Sequence, residues 1–190
     1  MGSRREWSIK DLLEWTTRFF SQKAIKAPRL EAEVLLAHVL GKSRVYLYAN
    51  YYLPVNQLER INFKKCIKRR INGEPVAYIT GTKEFMALEF QVTPDVLIPR
   101  PESELLVENV IALAGEKPTK RICDVGTGSG AIAVSLAVYL PGADIYAIDL
   151  SASALQIARQ NAQKHNVEIK FFEGNLLFPL LDEEPFDFIV

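Results

Sequence analysis

Two patterns of hydrophobic and polar positions divide the chain. In residues 1–73, apolar residues recur at helical spacing in three segments, "SIKDLLEWTTRFFSQK", "PRLEAEVLLAHVLG" and "NQLERINFKKCIKRRIN". Ser8 can cap the first helix, Pro28 stands where a helix tolerates a proline, and Gly41 is a typical residue to follow a helix end. The pattern therefore predicts a small helical-bundle domain over residues 1–73.

The pattern changes after residue 73. In residues 74–100, β-branched and aromatic residues flank a Gly-Thr turn at Gly81, which predicts a β-hairpin connector. From residue 101 to 190, helical segments alternate with short apolar segments, "RICDVG", "DIYAID", "VEIKFFEG" and "FDFIV", and the last of these is expected to be a buried strand. Alternation of this kind is typical of a doubly wound α/β fold with a parallel sheet.

Composition narrows the class of protein. The chain has 190 residues, is 48% hydrophobic and contains only 10 Gly and 10 Pro, so it can fold around a sizeable core. No segment has the roughly 18 apolar residues of a membrane span, and the N-terminus lacks the apolar stretch of a signal peptide. We expect a cytoplasmic protein that does not contact membranes. Cys66 and Cys123 are too few for a disulfide framework or a zinc site, and no metal is expected.

The net charge of zero conceals an asymmetry. Before Gly73 there are 15 Lys and Arg against 6 Asp and Glu, whereas the remainder has 8 against 17. The first module therefore has a basic surface, which is either a solvated helix face or a surface that attracts an acidic partner such as RNA, the ribosome or an acidic protein. The sequence pattern leaves both interpretations open.

The segment "DVGTGSGAI" carries the candidate chemistry. It lies between the first strand of the α/β region and the following helix, which is where such folds bind ligands. The glycines at 126, 128 and 130 allow a sharp turn and a close backbone approach to a ligand, and the helix N-terminus offers N–H donors. Asp149 follows the next strand, 21 residues after Gly128, where a carboxylate can accept hydrogen bonds from ribose hydroxyls.

Two ligand classes fit this loop. A phosphate-binding P-loop is excluded because no Gly-Lys-Ser/Thr follows, but Gly126, Gly128 and Ala131 also satisfy the G-x-G-x-x-G/A dinucleotide pattern. The loop therefore predicts either a nicotinamide or flavin dinucleotide, or S-adenosylmethionine, which has ribose and adenine without a pyrophosphate.

The chain resembles a known family over nearly its whole length. "DVGTGSGAIAVSLA" with "AIDLS", preceded by "KEFMALEFQVTPDVLIPRPESE" and by "RLEAEVLLAHVLG", is similar to the HemK/PrmC family of protein-(glutamine-N5) methyltransferases, which act on peptide chain release factors. The resemblance implies a Rossmann-like class I S-adenosylmethionine-dependent methyltransferase domain over residues 101–190, with a C-terminally incomplete parallel sheet. It also implies that the first domain docks the protein substrate.

The resemblance assigns roles to individual residues. Residues of the glycine loop would enclose the methionine and ribose portion of S-adenosylmethionine, and Asp124 would face its ammonium group. Asp149 would bind the ribose hydroxyls, Asn175 would accept a hydrogen bond from adenine, and Leu176 would pack on the adenine ring. The expected cofactor-binding loop residues are Gly126, Thr127, Gly128, Ser129 and Gly130.

The family's substrate-binding groups are expected at two places. Arg100 and Glu102, in "PRPESE", are candidates for shaping the substrate pocket. The family binds the glutamine amide through an Asn-Pro-Pro-Tyr motif directly after the fourth strand, and this sequence contains no such motif. Catalytic residues are therefore expected just after Val190 and none within the 190 residues, which alone are expected to be inactive and to expose a hydrophobic sheet edge.

Several other functions stay open at this point. Amino-methylating enzymes that modify a glutamine of a ribosomal protein, or adenine N6 in nucleic acid, use similar chemistry. A dinucleotide-dependent oxidoreductase is the alternative from another class of enzyme. A non-catalytic module that only binds a partner is the remaining alternative.

Overall fold

The computed structural model describes residues 6–115 and 120–190 and divides the chain into two compact units, residues 1–80 and 81–190. The first unit is helical: α1 (Ile9–Gln22), α2 (Pro28–Leu40), α3 (Arg44–Ala49), α4 (Gln57–Ile71) and α5 (Val76–Thr80). The second unit contains β1 (Thr82–Phe85), β2 (Leu88–Gln91), α6 (Glu102–Ala114), β3 (Arg121–Val125), α7 (Ala131–Tyr139), β4 (Asp144–Asp149), α8 (Ala152–Lys164), β5 (Lys170–Glu173), a 3-10 turn (Phe178–Leu180) and β6 (Phe188–Ile189).

Local capping explains where α1 and α4 begin. Ser8 and Asn56 each accept a hydrogen bond from the third residue of the following helix, whose acidic side chain bonds back to the cap. These two capping boxes satisfy backbone groups that would otherwise lack a partner. Gly41 ends α2 in the left-handed conformation, as its position in the sequence predicts.

The buried carboxylate of Glu33 links α2 to α3 in the first unit. The Glu33 side chain is 2% exposed and bonds to the guanidinium groups of Arg29, at 2.6 Å, and Arg44, at 2.9 Å. It also accepts a hydrogen bond from the Tyr48 hydroxyl. Burial alone would raise the pKa of Glu33, but the hydrogen bonds from Tyr48, Arg44 and Arg29 outweigh burial and lower it.

The hairpin forms, but its turn is not where the sequence pattern indicated. Val76–Thr80 is helical, and the two strands are joined by Met86 and Ala87, both with positive φ, rather than by Gly81 and Thr82. Tertiary contacts hold this turn, since the Met86 N–H donates to Glu104 at 2.8 Å and the Met86 carbonyl accepts from the Tyr139 hydroxyl at 2.7 Å. The hairpin lies within the second unit, where Phe85 and Phe90 are part of the core.

The second unit contains a parallel sheet in the order β5-β4-β3-β6. Alternate strand residues face two cores. Ile122, Ile145 and Ala147 pack with residues of α6, α7, α8 and the hairpin, whereas Cys123, Tyr146 and Ile148 pack with Leu177, Leu180 and Phe186. The three described helices of this unit thus cover one face, and the connection between β5 and β6 covers the other. This is the predicted α/β fold with a Rossmann-like strand order.

The final strand is shorter and less buried than expected. Only Phe188 and Ile189 are in β6, and Ile189 is 55% exposed, because β6 lies at an edge of the sheet. Arg121 binds the segment that precedes β6 to the sheet. Its guanidinium lies about 5 Å from the ring centres of Tyr146 and Phe186 and binds Glu183 at 2.6 Å.

Replacing Glu33 tests its role in the helical unit. We expect Glu33→Gln to lower the free energy of unfolding by about 1–3 kcal/mol, because Arg29, Arg44 and Tyr48 lose their charged partner. The lowered pKa means that the wild-type carboxylate stabilises the fold above its ordinary value of 4.5 and that this stabilisation is lost as pH falls through the lowered value. Urea unfolding of both proteins between about pH 3 and pH 7 measures the difference.

The control is Glu14→Gln, which removes an exposed pair with Lys10 at 3.9 Å. We expect this change to alter the unfolding free energy by less than about 0.5 kcal/mol. Equal effects of the two substitutions would contradict the role given to Glu33.

Candidate functional site: a glycine loop at the carboxyl edge of the parallel sheet

The glycine loop turns sharply at the end of β3. The N–H groups of Gly126 and Thr127 both donate to the carbonyl of Ile148, at 2.8 and 2.9 Å, which holds the start of the loop against the end of β4. The Gly130 N–H then donates to the Thr127 carbonyl at 2.8 Å, closing the turn before α7. Because parallel strands end at the same edge, this loop lies at the crevice between β4, β3 and β6 where such sheets bind ligands.

Gly130 is required at its position for two reasons. Its φ is +78°, a conformation that residues with a Cβ rarely adopt, and a Cβ would lie 3.0 Å from the Cβ and 3.2 Å from the Cα of Ala158 in α8. The loop can therefore seat directly on α8. Gly126 and Gly128 also have positive φ, at 79° and 54°.

Asp124 connects β3 with the start of α7. It is 2% exposed, and one carboxylate oxygen accepts hydrogen bonds from the Thr127 hydroxyl at 2.7 Å and the Ala133 N–H at 3.2 Å. Burial raises the pKa of Asp124 to about 6, the two hydrogen bonds act in the opposite direction, and the charge of Asp149 adds to the increase. The expectation that the helix N-terminus offers its N–H donors to a ligand needs correction at Ala133, since Asp124 already caps that group.

Asp149 lies at the end of β4, beside the loop. Its carboxylate accepts hydrogen bonds from the Gly128 N–H at 2.8 Å and from the Ser151 N–H at 2.9 Å. The residue as a whole is half-buried. The structure thus joins two residues that the sequence singled out, 21 positions apart, through one hydrogen bond.

Asn175 and Leu176 follow β5 at the same edge of the sheet. The Gly174 N–H donates to the Asp149 carbonyl at 3.0 Å, which ties this segment to the end of β4. Both residues are exposed, with Leu176 63% exposed and at a φ of 49°. Exposed side chains here leave Asn175 and Leu176 accessible to a ligand.

Arg100 and Glu102 do not belong to this cluster of hydrogen bonds. Both side chains are exposed: Glu102 is the first residue of α6, and Arg100 lies two residues before it. The Arg100 carbonyl accepts a hydrogen bond from the Ser103 N–H. Glu104, two residues further on, is the acidic residue of this segment that bonds to the hairpin, through the Met86 N–H.

Asn161 is a residue that the sequence analysis missed. It is fully buried in α8 and bonds to the backbone of Ser129 in the glycine loop and of Gln91 in β2. In the sequence it is one polar residue among several in an amphipathic helix, and only its alignment with Ala154, Leu155, Ala158 and Ala162 on the buried face of α8 signals its position.

Within residues 6–115 and 120–190, no group of three or more His, Cys, Asp or Glu side chains could hold a metal ion. In the same ranges, no helix has the length and apolar character needed to cross a membrane.

Models of two protein families match this chain. The PrmC N-terminal domain matches residues 11–81, and a methyltransferase domain matches residues 116–190. The first match covers the helical unit, and the second covers the glycine loop, Asp149, Asn175 and Leu176.

Curated relatives match most of the chain. It is 41% identical over 184 residues to a release factor glutamine methyltransferase of Geobacter sulfurreducens, covering 97% of this chain and 64% of that protein. It is 42% identical over 200 residues to a release factor glutamine methyltransferase of Chlorobaculum tepidum, covering 100% of this chain and 68% of that protein. The chain therefore spans about two thirds of the length of these relatives. With this identity along both of its units, the chain belongs to the family of release factor glutamine methyltransferases.

Proposed function

We propose that this protein uses S-adenosylmethionine to methylate a glutamine side-chain nitrogen in a peptide chain release factor, in the cytoplasm. The observation that carries the proposal is the hydrogen bond between the Asp149 carboxylate and the Gly128 N–H, which sets a ribose-binding carboxylate beside a three-glycine loop at the carboxyl edge of the sheet. The relatives' names supply the reaction and the substrate.

The described residues fit S-adenosylmethionine. Gly130 lets the loop rest on Ala158, so the backbone rather than a side chain borders the crevice. Asp149 retains lone pairs for ribose hydroxyls beyond its two backbone bonds, and the exposed Asn175 and Leu176 are available to the adenine. Bound there, the cofactor supplies a methyl group activated by the positively charged sulfur.

The buried Asp124 gives the crevice a negative group that is charged at neutral pH. A ligand that carries an ammonium and a sulfonium group is attracted by this carboxylate and by that of Asp149. A dinucleotide, in contrast, would bring a pyrophosphate close to the Asp124 carboxylate, which disfavours it, whereas a ribose carboxylate such as Asp149 suits both ligand classes. The electrostatics therefore favour S-adenosylmethionine over the dinucleotide alternative.

Positioning is the main catalytic requirement of glutamine methylation. The amide nitrogen is a weak nucleophile because its lone pair is delocalised into the carbonyl, so acceptors must hold its hydrogens while the nitrogen faces the methyl group. In the family these acceptors follow the strand that corresponds to β6. The Val190 carbonyl accepts a hydrogen bond from the Val125 N–H at 2.9 Å, which supports a substrate amide held beside the glycine loop.

The helical unit has a surface suited to a protein substrate. Two of the basic residues of α4 are neutralised internally, since Arg69 pairs with Glu74 and Arg70 with Glu31. The exposed cations of this helix include Lys64 and Lys68, which border a groove of about 650 Å³ lined by apolar residues of α1 and α4. An acidic and apolar surface of a release factor would fit this groove better than RNA or the ribosome, which would use charge alone.

Arg100 and Glu102 are the candidate residues of the substrate pocket. Arg100 and Glu102 are exposed and therefore accessible to a substrate, and both belong to the segment that the family places beside its active site. We propose that they contact the release factor rather than the cofactor.

The proposed reaction can be tested directly. The protein, in the form its cells produce, is incubated with methyl-labelled S-adenosylmethionine and a release factor, and the products are digested and sequenced by mass spectrometry. We expect one added methyl group on a glutamine side chain. In parallel incubations with ribosomes or with nucleic acid in place of the release factor, label in a ribosomal protein or in nucleic acid, with none in the release factor, would contradict the substrate. Binding of NAD without binding of S-adenosylhomocysteine would contradict the reaction class.

Asp149→Asn tests the ribose carboxylate. We expect the affinity for S-adenosylhomocysteine to fall about 10- to 100-fold, because hydrogen bonds to a charged acceptor are replaced by weaker ones. Isothermal titration calorimetry measures the change. The control is Asp144→Asn at the other end of the same strand, where the carboxylate pairs with Lys170 and where affinity should stay within about twofold. Equal losses in both variants would count against the assignment.

The pKa of Asp124 predicts a pH dependence of cofactor binding. Because burial raises this pKa to about 6, the carboxyl takes up a proton below that pH and loses its attraction for the ammonium group that S-adenosylmethionine and S-adenosylhomocysteine share. We expect the affinity for S-adenosylhomocysteine to be up to about tenfold lower at pH 5 than at pH 7. Asp124→Asn should remove this dependence and Asp144→Asn should preserve it, so an unchanged pH profile in Asp124→Asn would show the prediction to be wrong.

A further inference from the structure

We infer that Asn161 is a positioning residue for the cofactor: it fixes the glycine loop by fastening the Ser129 peptide to the β-hairpin. The inference rests on the proposed function in one respect, namely that the loop binds S-adenosylmethionine. It assigns a role in cofactor binding to a side chain that lies beneath the loop, in the middle of α8.

The hydrogen bonds of Asn161 link three elements. Its amide nitrogen donates to the Ser129 carbonyl at 2.8 Å and to the Gln91 carbonyl at 3.0 Å, and its amide oxygen accepts from the Gln91 N–H at 2.7 Å. Both amide hydrogens and the oxygen are therefore used, and the side chain is 0% exposed. No water competes for these bonds, so the amide holds a fixed orientation.

The same helix contacts the next residue of the loop. Ala158, three residues before Asn161, has its Cβ 3.0 Å from the position that a Cβ on Gly130 would take. Residues three apart share a face of a helix, so α8 presents a small side chain and an amide to the peptide that joins Ser129 to Gly130. The small residue sets how closely the loop approaches, and the amide sets the direction of the Ser129 carbonyl.

A second anchor acts two peptide groups earlier in the loop. The Asp149 carboxylate accepts the hydrogen bond of the Gly128 N–H, whereas Asn161 binds the Ser129 carbonyl. Two consecutive residues are thus held by different side chains, one from the end of β4 and one from α8. Gly128 and Gly130 have little conformational preference of their own, so these anchors, rather than local propensity, select the loop's shape.

The hairpin provides the fixed end of this connection. Beside the Gln91 bonds, Lys164 pairs with Glu89 at 2.7 Å, and the His165 ring lies 3.0 Å from the Glu89 carbonyl and 5.3 Å from the Phe90 ring centre. His165 therefore contacts the hairpin. The bonds of Lys164 and His165 attach α8 to the hairpin and not to the loop. A change at Lys164 therefore tests docking of the hairpin separately from positioning of the loop.

The test compares Asn161 variants with controls that leave its bonds intact. Asn161→Asp has nearly the same shape but lacks both amide hydrogens, and Asn161→Ser is shorter and neutral. The controls are Gln91→Ala, which alters an exposed side chain and keeps the backbone groups that Asn161 uses, and Lys164→Ala, which removes a hairpin contact alone. Each protein is titrated with S-adenosylhomocysteine by calorimetry, and its thermal unfolding is followed without ligand.

We expect both Asn161 variants to bind S-adenosylhomocysteine at least about tenfold more weakly at a temperature where they are folded, and both controls to stay within about twofold of the wild type. The amide NMR signals of Gly128 and Gly130 should shift and broaden in the Asn161 variants and stay unchanged in the controls. A merely structural role would lower the melting temperature without moving these signals in the folded protein.

Three outcomes would overturn the inference: wild-type affinity in a folded Asn161 variant, equal losses in Lys164→Ala, or failure of both Asn161 variants to fold, which would make the residue structural. Failure of the wild type itself to bind S-adenosylhomocysteine would contradict the proposed function instead. In that case the NMR comparison still tests whether Asn161 orders the loop.

Discussion

The turn from β3 into α7 is the constraint on which the site depends. One carbonyl, that of Ile148, accepts hydrogen bonds from two successive N–H groups, at Gly126 and Thr127, and this forces the chain to reverse over the end of β4. The reversal requires positive φ and close contact with α8. Glycine satisfies both conditions, and the backbone then borders the crevice in place of side chains.

The register of the parallel strands places the other residues of the site beside the glycine loop. Val125 pairs with Ile148, which places Asp149 next to the loop, and Asp149 pairs with Glu173, which brings the segment after β5 to the same edge. The glycine loop, Asp149 and the segment after β5 are far apart in the sequence, and the pairing of the strands brings them to the same edge of the sheet. Cofactor binding in this fold is a consequence of strand pairing, and its chemistry depends on which residue ends each strand.

The two carboxylates beside the glycine loop, Asp124 and Asp149, differ in how deeply they are buried. Asp124 and Asp149 both accept two hydrogen bonds, but Asp124 is buried, which raises its pKa to about 6. Asp149 is half-buried. In the helical unit, Glu33 is as deeply buried as Asp124, yet two guanidinium groups and a tyrosine hydroxyl lower its pKa. The pKa of a buried carboxylate in this protein therefore depends on the balance between burial, which dominates at Asp124, and its hydrogen-bonding and charged partners, which dominate at Glu33.

The sequence by itself determined the three long helices of the first unit, the alternation of helices and strands from residue 101, the α/β class of the second unit and the glycine loop with Asp149, because periodicity, glycine spacing and strand ends are local signals. The short helices α3 and α5 were not predicted. The tertiary structure alone decided the hairpin turn and the role of Asn161. Met86 and Ala87 are not typical turn residues, and they adopt positive φ because Glu104 and Tyr139 hold the Met86 peptide. Asn161 acquires its role because folding brings Ser129 and Gln91, 32 and 70 residues away, to the same amide. Contacts between distant segments leave no periodic pattern in a sequence, which is why these features required the structure.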